Sequence, residues 1–257
     1  MAGTSSLVSG FVLGSGSDAN GYLFATAETT ILVDNGFSYK ELARRLGLAG
    51  SAPERIDYLL LTHSHGDHCK GVPLLLKRNA TTCCATRETL NALSAEVPRW
   101  EEVEAGRAYE WGGVSVKTFP LSHDTPGSVG YSLDFGGFRC VIITDTGVIS
   151  PAMADEAAGA DILFLESNYC PDLLRSGPYP YHVKQRIAGE TGHLSNADAA
   201  GFLNELIGRE RPGKVYLCHL SAKNNHPELV ADTMKSLLCG PLDITVCPRN
   251  AFVPFCL

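Results

Sequence analysis

The chain has 257 residues and a formal net charge of −7, with 44% hydrophobic and 19% charged residues. That is an ordinary globular composition, and it carries no global basic signature of a nucleic-acid binder, although a local groove can be basic on an acidic protein. No apolar run approaches the ~20 residues of a membrane-spanning helix, and Met1 to Gly21 lacks the basic start and apolar core of a secretory signal.

Leu7–Ser9 and Phe11–Leu13 read as two short strands, followed by a turn-rich loop from Gly14 to Gly21 whose glycines and Asn20 suit either a plain hairpin or backbone close to a site. Tyr22–Phe24 and Ile31–Val33 read as the next strands, the second ending in Asp34. Tyr39–Leu46 has helical spacing and stops at Gly47. Ile56–Leu61 is a continuous apolar run apart from Asp57, as expected for a strand buried on both faces. It runs into Thr62-His63-Ser64-His65-Gly66-Asp67-His68.

Gly71–Arg78 reads as a helix, Thr81–Ala85 as a strand, and Thr86 as the N-cap of a short helix to Ala92. Val114–Phe119 alternates and leads to His123. Tyr131–Phe135, Gly136-Gly137 and Phe138–Ile143 spell a hairpin, and its second strand leads to Asp145. Ile162–Leu165 ends in Glu166, and Cys170–Tyr181 reads as a loop. Ser195 and Asp198 start a helix through Ile207 with a capping box. Val215–Cys218 ends in His219, Pro227–Leu238 is the final helix and Ile244–Cys247 the last strand. With no linker or low-complexity segment, residues 1–257 read as one domain. The nine cysteines, an odd number with no C-x-x-C pair, read as thiols of a reducing compartment and hence of a cytoplasmic protein.

The position of the acids and imidazoles carries the functional reading. Six apolar runs close on Asp34, His63, His123, Asp145, Glu166 and His219, and in α/β folds ligands gather outside the carboxyl ends of strands. His63 and His65 lie two residues apart, so on extended backbone they face one side and reach one metal. Gly66 permits a change of direction that turns Asp67 and His68 toward a second metal position. Mixed imidazole and carboxylate ligation suits zinc or manganese and is compatible with iron. Two metals about 3.5–4 Å apart hold a bridging hydroxide and stabilise a leaving oxygen, with Asp145 as the natural bridging carboxylate.

Thr62-His63-Ser64-His65-Gly66-Asp67-His68 resembles the signature of the metallo-β-lactamase fold, and His123, Asp145 and His219 stand where that superfamily places its later motifs. An aspartate at 145, rather than cysteine, is closer to its phosphodiesterase and nuclease branches. Leu121-Ser122-His123-Asp124, Thr144-Asp145-Thr146-Gly147, Glu166-Ser167-Asn168, Gly192-His193-Leu194-Ser195-Asn196 and His219 through Pro227 are similar to the YycJ/WalJ-type hydrolases over nearly the whole chain. The Gly-His-Leu-Ser segment also resembles the ribonuclease Z branch.

The resemblance implies a four-layer αββα sandwich and a DNA-directed phosphodiesterase, thought to act as a 5′ exonuclease, in which a two-metal-bridged hydroxide attacks phosphorus. It places His63, His65 and His123 on one metal and Asp67, His68 and His219 on the other, with Asp145 between them. It gives His193 the scissile phosphate or the leaving oxygen, work suited to an imidazole near neutral pH. Asp67 is also expected to orient the nucleophile.

Asp34 is expected to hold the metal-binding loop from behind, and Glu166 to orient His193 or a ligand. Tyr179 and Tyr181, ahead of Lys184 and Arg186, read either as a packed loop or as a surface that stacks bases and neutralises phosphates. His226 is a weaker substrate candidate. Residues 165–225 hold seven Lys/Arg against six Asp/Glu, less acidic than the chain as a whole. The expected partner is DNA or another phosphodiester, and no membrane. The alternatives are a phosphodiesterase for small cyclic or nucleotide-like esters, with a narrow pocket closed by Cys170–Tyr181, a thioester hydrolase, and a non-enzymatic interaction protein, which would have lost ligands.

Overall fold

The structure, a computed structural model, describes residues 8–94 and 96–256. The first half of the chain supplies strands β1 (Ser9–Gly14), β2 (Gly21–Ala25), β3 (Thr30–Val33), β4 (Tyr58–Leu60), β5 (Thr82–Ala85) and β6 (Trp100–Glu102). The second half supplies β7 (Ala108–Trp111), β8 (Val114–Pro120), β9 (Val129–Asp134), β10 (Arg139–Ile143), β11 (Ile162–Glu166), β12 (Lys214–Cys218), β13 (Asp243–Val246) and β14 (Val253–Cys256). They form two seven-stranded sheets, ordered β14-β1-β2-β3-β4-β5-β6 and β13-β12-β11-β10-β9-β8-β7. Helices α1 (Tyr39–Leu48), α2 (Gly66–Cys69), α3 (Val72–Arg78) and α4 (Arg87–Ala92) belong to the first half. Helices α5 (Pro151–Ala157), α6 (Pro171–Ser176), α7 (Tyr181–Ile187), α8 (Asn196–Gly208) and α9 (Pro227–Leu237) belong to the second.

Side-chain alternation builds the four layers. Tyr22 and Phe24 of β2 face one way and Leu23 the other, because successive strand residues point to opposite faces. The first two join a core between the sheets with Phe164, Tyr216 and Phe255, where the rings of Phe24 and Phe164 meet edge-on at 6.1 Å. Leu23, with Leu32 and Leu59, packs outward on Leu42, Leu46, Leu75 and Leu76 of α1 and α3. In β10, Cys140 and Ile142 face inward, while Val141 and Ile143 pack on α5, α8 and α9 through Met153, Phe202 and Met234. Each such buried side chain contributes roughly 1.5–3 kcal/mol. The result is the αββα sandwich expected.

In both sheets the central strands run parallel: β3 with β4 and β5, and β10 with β11 and β12. Their carboxyl ends therefore open on one edge, and the segments after them can meet there. The hairpin of β9 and β10 is as expected, with Gly136 and Gly137 both at positive φ (78° and 102°), the tight reversal that a two-residue hairpin turn requires.

Several boundaries differ from the sequence reading. The first two runs form a single strand, β1, with Gly10 paired to Phe24 and Phe255; Leu7 lies outside the described residues. Gly47 does not stop α1, which continues to Leu48 and turns out at Gly50, a left-handed residue with φ 68°. Cys170–Tyr181 is not a loop: Pro171 occupies the first turn of α6, where its missing N–H costs nothing, and Tyr181 opens α7. Ile244–Cys247 is not the last strand, because β14 follows and pairs with β1. Strands β6 and β7 were not expected: β6 is short and exposed, and β7 has only four residues, of which Trp111 is buried and Tyr109 partly so. The eight cysteines whose side chains are described are all free thiols, and among the described residues no helix is long and apolar enough to cross a membrane.

Candidate metal centre

Three of the strand ends share a backbone feature that sequence patterning does not show. Asp34 and His219, directly after β3 and β12, and Asp145, two residues after β10, all lie in the left-handed region, with φ of 60°, 56° and 55°. For residues with a Cβ this costs roughly 1–2 kcal/mol each, and such strain concentrates at functional sites. It breaks the strand alternation and redirects the three side chains into the common edge. Local bonds hold it: the Asp34 N–H donates to Leu60 O at 2.9 Å, and the His219 N–H to Ser15 Oγ at 2.8 Å.

The Asp67 loop is clamped by the loops before β2 and after β3. Asn20 N–H donates to Asp67 O at 2.8 Å and Asn35 N–H to His68 O at 2.7 Å. Gly36 packs so closely that a Cβ there would lie 1.9 Å from Asp67 O. Gly66, expected to use glycine's conformational freedom, does not take positive φ; it opens the one-turn helix α2. That turn, rather than a glycine reversal, carries Asp67 and His68 round to face His219 and Asp145.

Five imidazoles are held in fixed tautomers from behind. His68 Nδ1 donates to Asp34 Oδ2 at 2.7 Å, His219 Nδ1 to Glu166 Oε1 at 3.0 Å and His123 Nδ1 to Gly192 O at 3.2 Å. Thr62 Oγ1 donates to Asp34 Oδ2 at 2.8 Å and is left to accept from His63 Nδ1 at 3.0 Å. His65 is reversed, with Nε2 on Asp124 Oδ1 at 3.1 Å. Oxygen acceptors behind one ring nitrogen leave the lone pair of the other for a metal.

Those lone pairs converge. His65 Nδ1 lies 3.2 Å from His63 Nε2 and 3.1 Å from His123 Nε2. Nitrogen ligands about 2.0–2.1 Å from a tetrahedral zinc sit roughly 3.3 Å apart, so the three nitrogens already mark the corners of a coordination shell. Beside them, His68 Nε2 lies 3.1 Å from Asp145 Oδ2 and 3.5 Å from Asp67 Oδ2, and His219 Nε2 lies 3.3 Å from Asp67 Oδ2. Asp145 Oδ1 lies 3.4 Å from Nδ1 of both His219 and His193 and 4.0 Å from His123 Nε2, so this carboxylate borders both groups. The donor set fits a divalent cation: His63, His65 and His123 could hold one, as could Asp67, His68 and His219, and His63, His68 and Asp145 form a group that overlaps both.

Electrostatics separate the two groups. Burial, then the nearby His68, push the His63 imidazole well below its ordinary value, and burial with His123 lowers His65; both stay neutral and ready to ligate. Burial also opposes charge on His68 and His219, but Asp145 and the other acids beside them outweigh it and raise both. Burial opposes ionisation of Asp145, yet His219 and His68 hold its carboxyl well below the usual range. A cation entering this second group displaces protons from its imidazoles.

His193 stands at the rim. Its side chain is 20% exposed, and Nδ1 lies 2.8 Å from the fully buried Glu166 Oε1. Burial disfavours its charge, but Glu166 raises its proton affinity above the ordinary value. Glu166 thus serves both His193 and His219, and its Oε2 accepts from Thr146 N–H at 2.9 Å.

Sequence reasoning missed the residues that tie these loops together. Asn225 Nδ2 donates to Ser167 O, Asn168 O and Asn196 Oδ1 at 2.8–3.0 Å, and Asn168 Nδ2 to His219 O at 2.9 Å. These clamps join the segments bearing Glu166, His193 and His219. Asn20 Nδ2 reaches His68 Nε2 at 3.0 Å, and Asp124, next to His123, orients His65. Asn20 stands in the loop that the sequence offers as close to a site, and Asp124, Asn168, Asn196 and Asn225 stand in the motifs of the family resemblance, but nothing in the sequence assigned these residues their bonds. Of the substrate candidates, Arg186 Nη1 comes within 3.8 Å of Asp124 Oδ2, Lys184 and Tyr181 lie further out on α7, and His226 stands apart as the N-cap of α9, its Nδ1 accepting from Leu229 N–H at 3.3 Å.

A family model described as a beta-lactamase superfamily domain matches residues 29–220, which span all the segments bearing the candidate ligands. The chain belongs to the beta-lactamase superfamily. It is 34% identical over 234 residues to a Streptococcus pneumoniae protein named exodeoxyribonuclease WalJ, covering 88% of this chain and 87% of that one. It is 32% identical over 232 residues to the exodeoxyribonuclease YycJ of Bacillus anthracis, covering 88% of each. The metallo-β-lactamase fold protein YhfI of Bacillus subtilis superposes with a TM-score of 0.74 at 17% identity, over 96% of this chain and 99% of that one; this likeness concerns the fold. The chain is a metal-dependent hydrolase of WalJ/YycJ type.

Proposed function

We propose that this hydrolase is a DNA-directed nuclease that degrades from a strand end, the 5′ end being the direction the family resemblance implies, with two divalent cations of zinc or manganese type. The observation that carries the reading is the complete donor set backed by a fixed tautomer at every ligating imidazole, together with His193 held by a buried carboxylate at the rim. In this reading His63, His65 and His123 hold one metal, and Asp67, His68 and His219 the other, with Asp145 shared. The activity named for the two bacterial relatives supports DNA as the substrate.

Bound metals would neutralise phosphate charge and make water a better nucleophile. The chain's own residues do the rest. Asp67, 23% exposed and bonded by Asn20 Nδ2 at 3.3 Å, accepts a hydrogen bond from the attacking water and orients it toward phosphorus. As the new phosphorus–oxygen bond forms and the ester bond breaks, His193 gives its Nε2 proton to the leaving oxygen. Glu166, on the Nδ1 side, keeps that ring charged and aimed. Positioned proton transfer of this kind contributes about 10²–10⁴-fold.

The small-ester alternative requires the 170–181 segment to close a narrow pocket. That segment instead forms α6 and leads into α7, with Tyr181 75% exposed, which favours an open path for a polymer. The test is degradation of end-labelled single- and double-stranded DNA and RNA with Mn²⁺ or Zn²⁺, against EDTA controls. DNA shortening from one end, abolished by EDTA and restored by metal, is expected. Turnover of a bis-aryl phosphate with no activity on any nucleic acid would overturn the nuclease reading.

A further inference from the structure

Helix α7 is unusual in this molecule because none of its seven residues is buried. It also carries Lys184 and Arg186 and no Asp/Glu, in a chain of net charge −7, whereas Arg175 on α6 is paired with Asp172. Between α6 and α7 lies a cavity of about 380 Å³, walled by Pro171, Leu174, Tyr181, Ala188 and the stems of Arg175 and Lys184. Tyr181 stands at its edge with its hydroxyl bonded by Gln185 Nε2 at 3.1 Å. Lys184 Nζ is fixed beside it by Arg175 O at 2.6 Å.

The same helix reaches the metal centre. Arg186 approaches Asp124 Oδ2, and the other oxygen of that carboxylate orients His65. At 1.5 Å rise per residue, Tyr181 and Arg186 are about 7.5 Å apart along the axis, so a strand passing Arg186 meets the groove within a few nucleotides. The opposite side is unsuited to a polyanion. There a cavity of about 540 Å³ beside His123 is lined by Glu88, Glu102 and Glu104, and its Arg87 is committed to Glu102 and to the face of Trp100 at 4.7 Å.

We propose that the α6–α7 groove seats an unpaired nucleobase of the substrate strand against Tyr181, with Arg186 and Lys184 on the flanking phosphates. This rests on the nuclease reading and deepens it: the substrate is single-stranded where it crosses α7. Stacking on an aromatic face is tolerant of base identity, because every base has a π-face, and the two cations recognise the backbone alone.

Steady-state kinetics of the metal-loaded enzyme test this on a labelled single-stranded oligonucleotide, the same sequence as blunt duplex, and a bis-aryl phosphate. Tyr181→Ala is expected to lower kcat/KM on the single strand about tenfold relative to the bis-aryl ester, through KM, and Tyr181→Phe to restore it. The blunt duplex is expected to show no such dependence. Arg186→Ala is expected to flatten the slope of log(kcat/KM) against log salt by about 0.7, the value for one lost single-strand phosphate contact. Single-strand degradation by Tyr181→Ala within twofold of the parent, or Phe no better than Ala, overturns this inference alone. A parent enzyme that turns over the ester but no oligonucleotide overturns the nuclease reading and this inference with it.

Discussion

Asp34 Oδ2 lies 2.7 Å from Nδ1 of His68, and both side chains are fully buried. The same carboxylate accepts from the Thr62 N–H and hydroxyl at 2.9 and 2.8 Å, so one buried acid fixes both the loop and the orientation of two histidines. Asp34 also sits at φ 60°, a conformation asparagine tolerates well. Asp34→Asn therefore removes the charge without adding backbone strain. Metal affinity is expected to fall about 10–100-fold, the usual cost of losing a partner behind a ligand. Competition against a chromogenic chelator measures it; unchanged affinity would show that the carboxylate does not tune His68.

His193 and Glu166 separate proton transfer from metal binding. His193→Ala is expected to lower kcat by about 10²–10⁴-fold with metal content retained. Glu166→Gln reaches further, because Glu166 Oε1 serves both His193 and His219, and is expected to lower both kcat and metal occupancy. Turnover numbers beside metal analysis by atomic emission check both variants. Loss of metal in His193→Ala would place that residue among the ligands and refute its role at the leaving oxygen.

Gly36 tests the packing behind Asp67. A Cβ there would stand 1.9 Å from Asp67 O and 2.8 Å from Ala19 Cα, both backbone atoms, so neither neighbour can swing aside. Gly36→Ala is expected to destabilise by about 1–3 kcal/mol, the usual range for overpacking, and to lower kcat by displacing Asp67. Urea unfolding and kinetics on the same preparation read the two effects. A variant with native stability and activity would show that the loop moves freely at this point.

The proposed metal ligands were legible as a cluster because chemistry and strand periodicity coincide there: apolar runs end and imidazoles or acids begin. The parallel order that brings Asp34, His63, Asp145, Glu166 and His219 to one edge follows from the same runs. What escaped has no period. Asn225 and Asn168 act through side-chain bonds between loops distant in sequence, and polar residues in loops have many other uses. Strand β6 is exposed and lacks apolar alternation, and β7 alternates over only four residues, with Tyr109 and Trp111 inward, too short a run to stand out as a period. The α6–α7 segment was hidden by Pro171, Pro178 and Pro180, which suggest a loop until Pro171 is seen at a helix start. The left-handed backbone at Asp145 and His219 leaves no trace in the sequence, since neither residue is glycine.

Outside the candidate metal centre, Glu41 gives the fold a pH dependence whose sign can be worked out. Its carboxylate is bidentate on Arg44, at 2.7 and 2.8 Å, and also accepts from Arg45 Nε at 2.7 Å. The Arg44 hydrogen bonds, partly offset by burial and reinforced by Arg45, lower its pKa from 4.5 to about 2. A carboxylate depressed in the folded state stabilises above its unfolded pKa, and that contribution is lost as pH falls through the folded value. The window here runs from about 4.5 down to about 2. The side chain is 35% exposed, so solvent screening limits the contribution to about 0.5–1 kcal/mol. Glu41→Gln is therefore expected to unfold at lower urea than the parent at pH 7, with the gap narrowing below pH ~4.5 and closing near pH ~2. A gap that stays constant across that window would mean that the carboxylate contributes packing rather than charge.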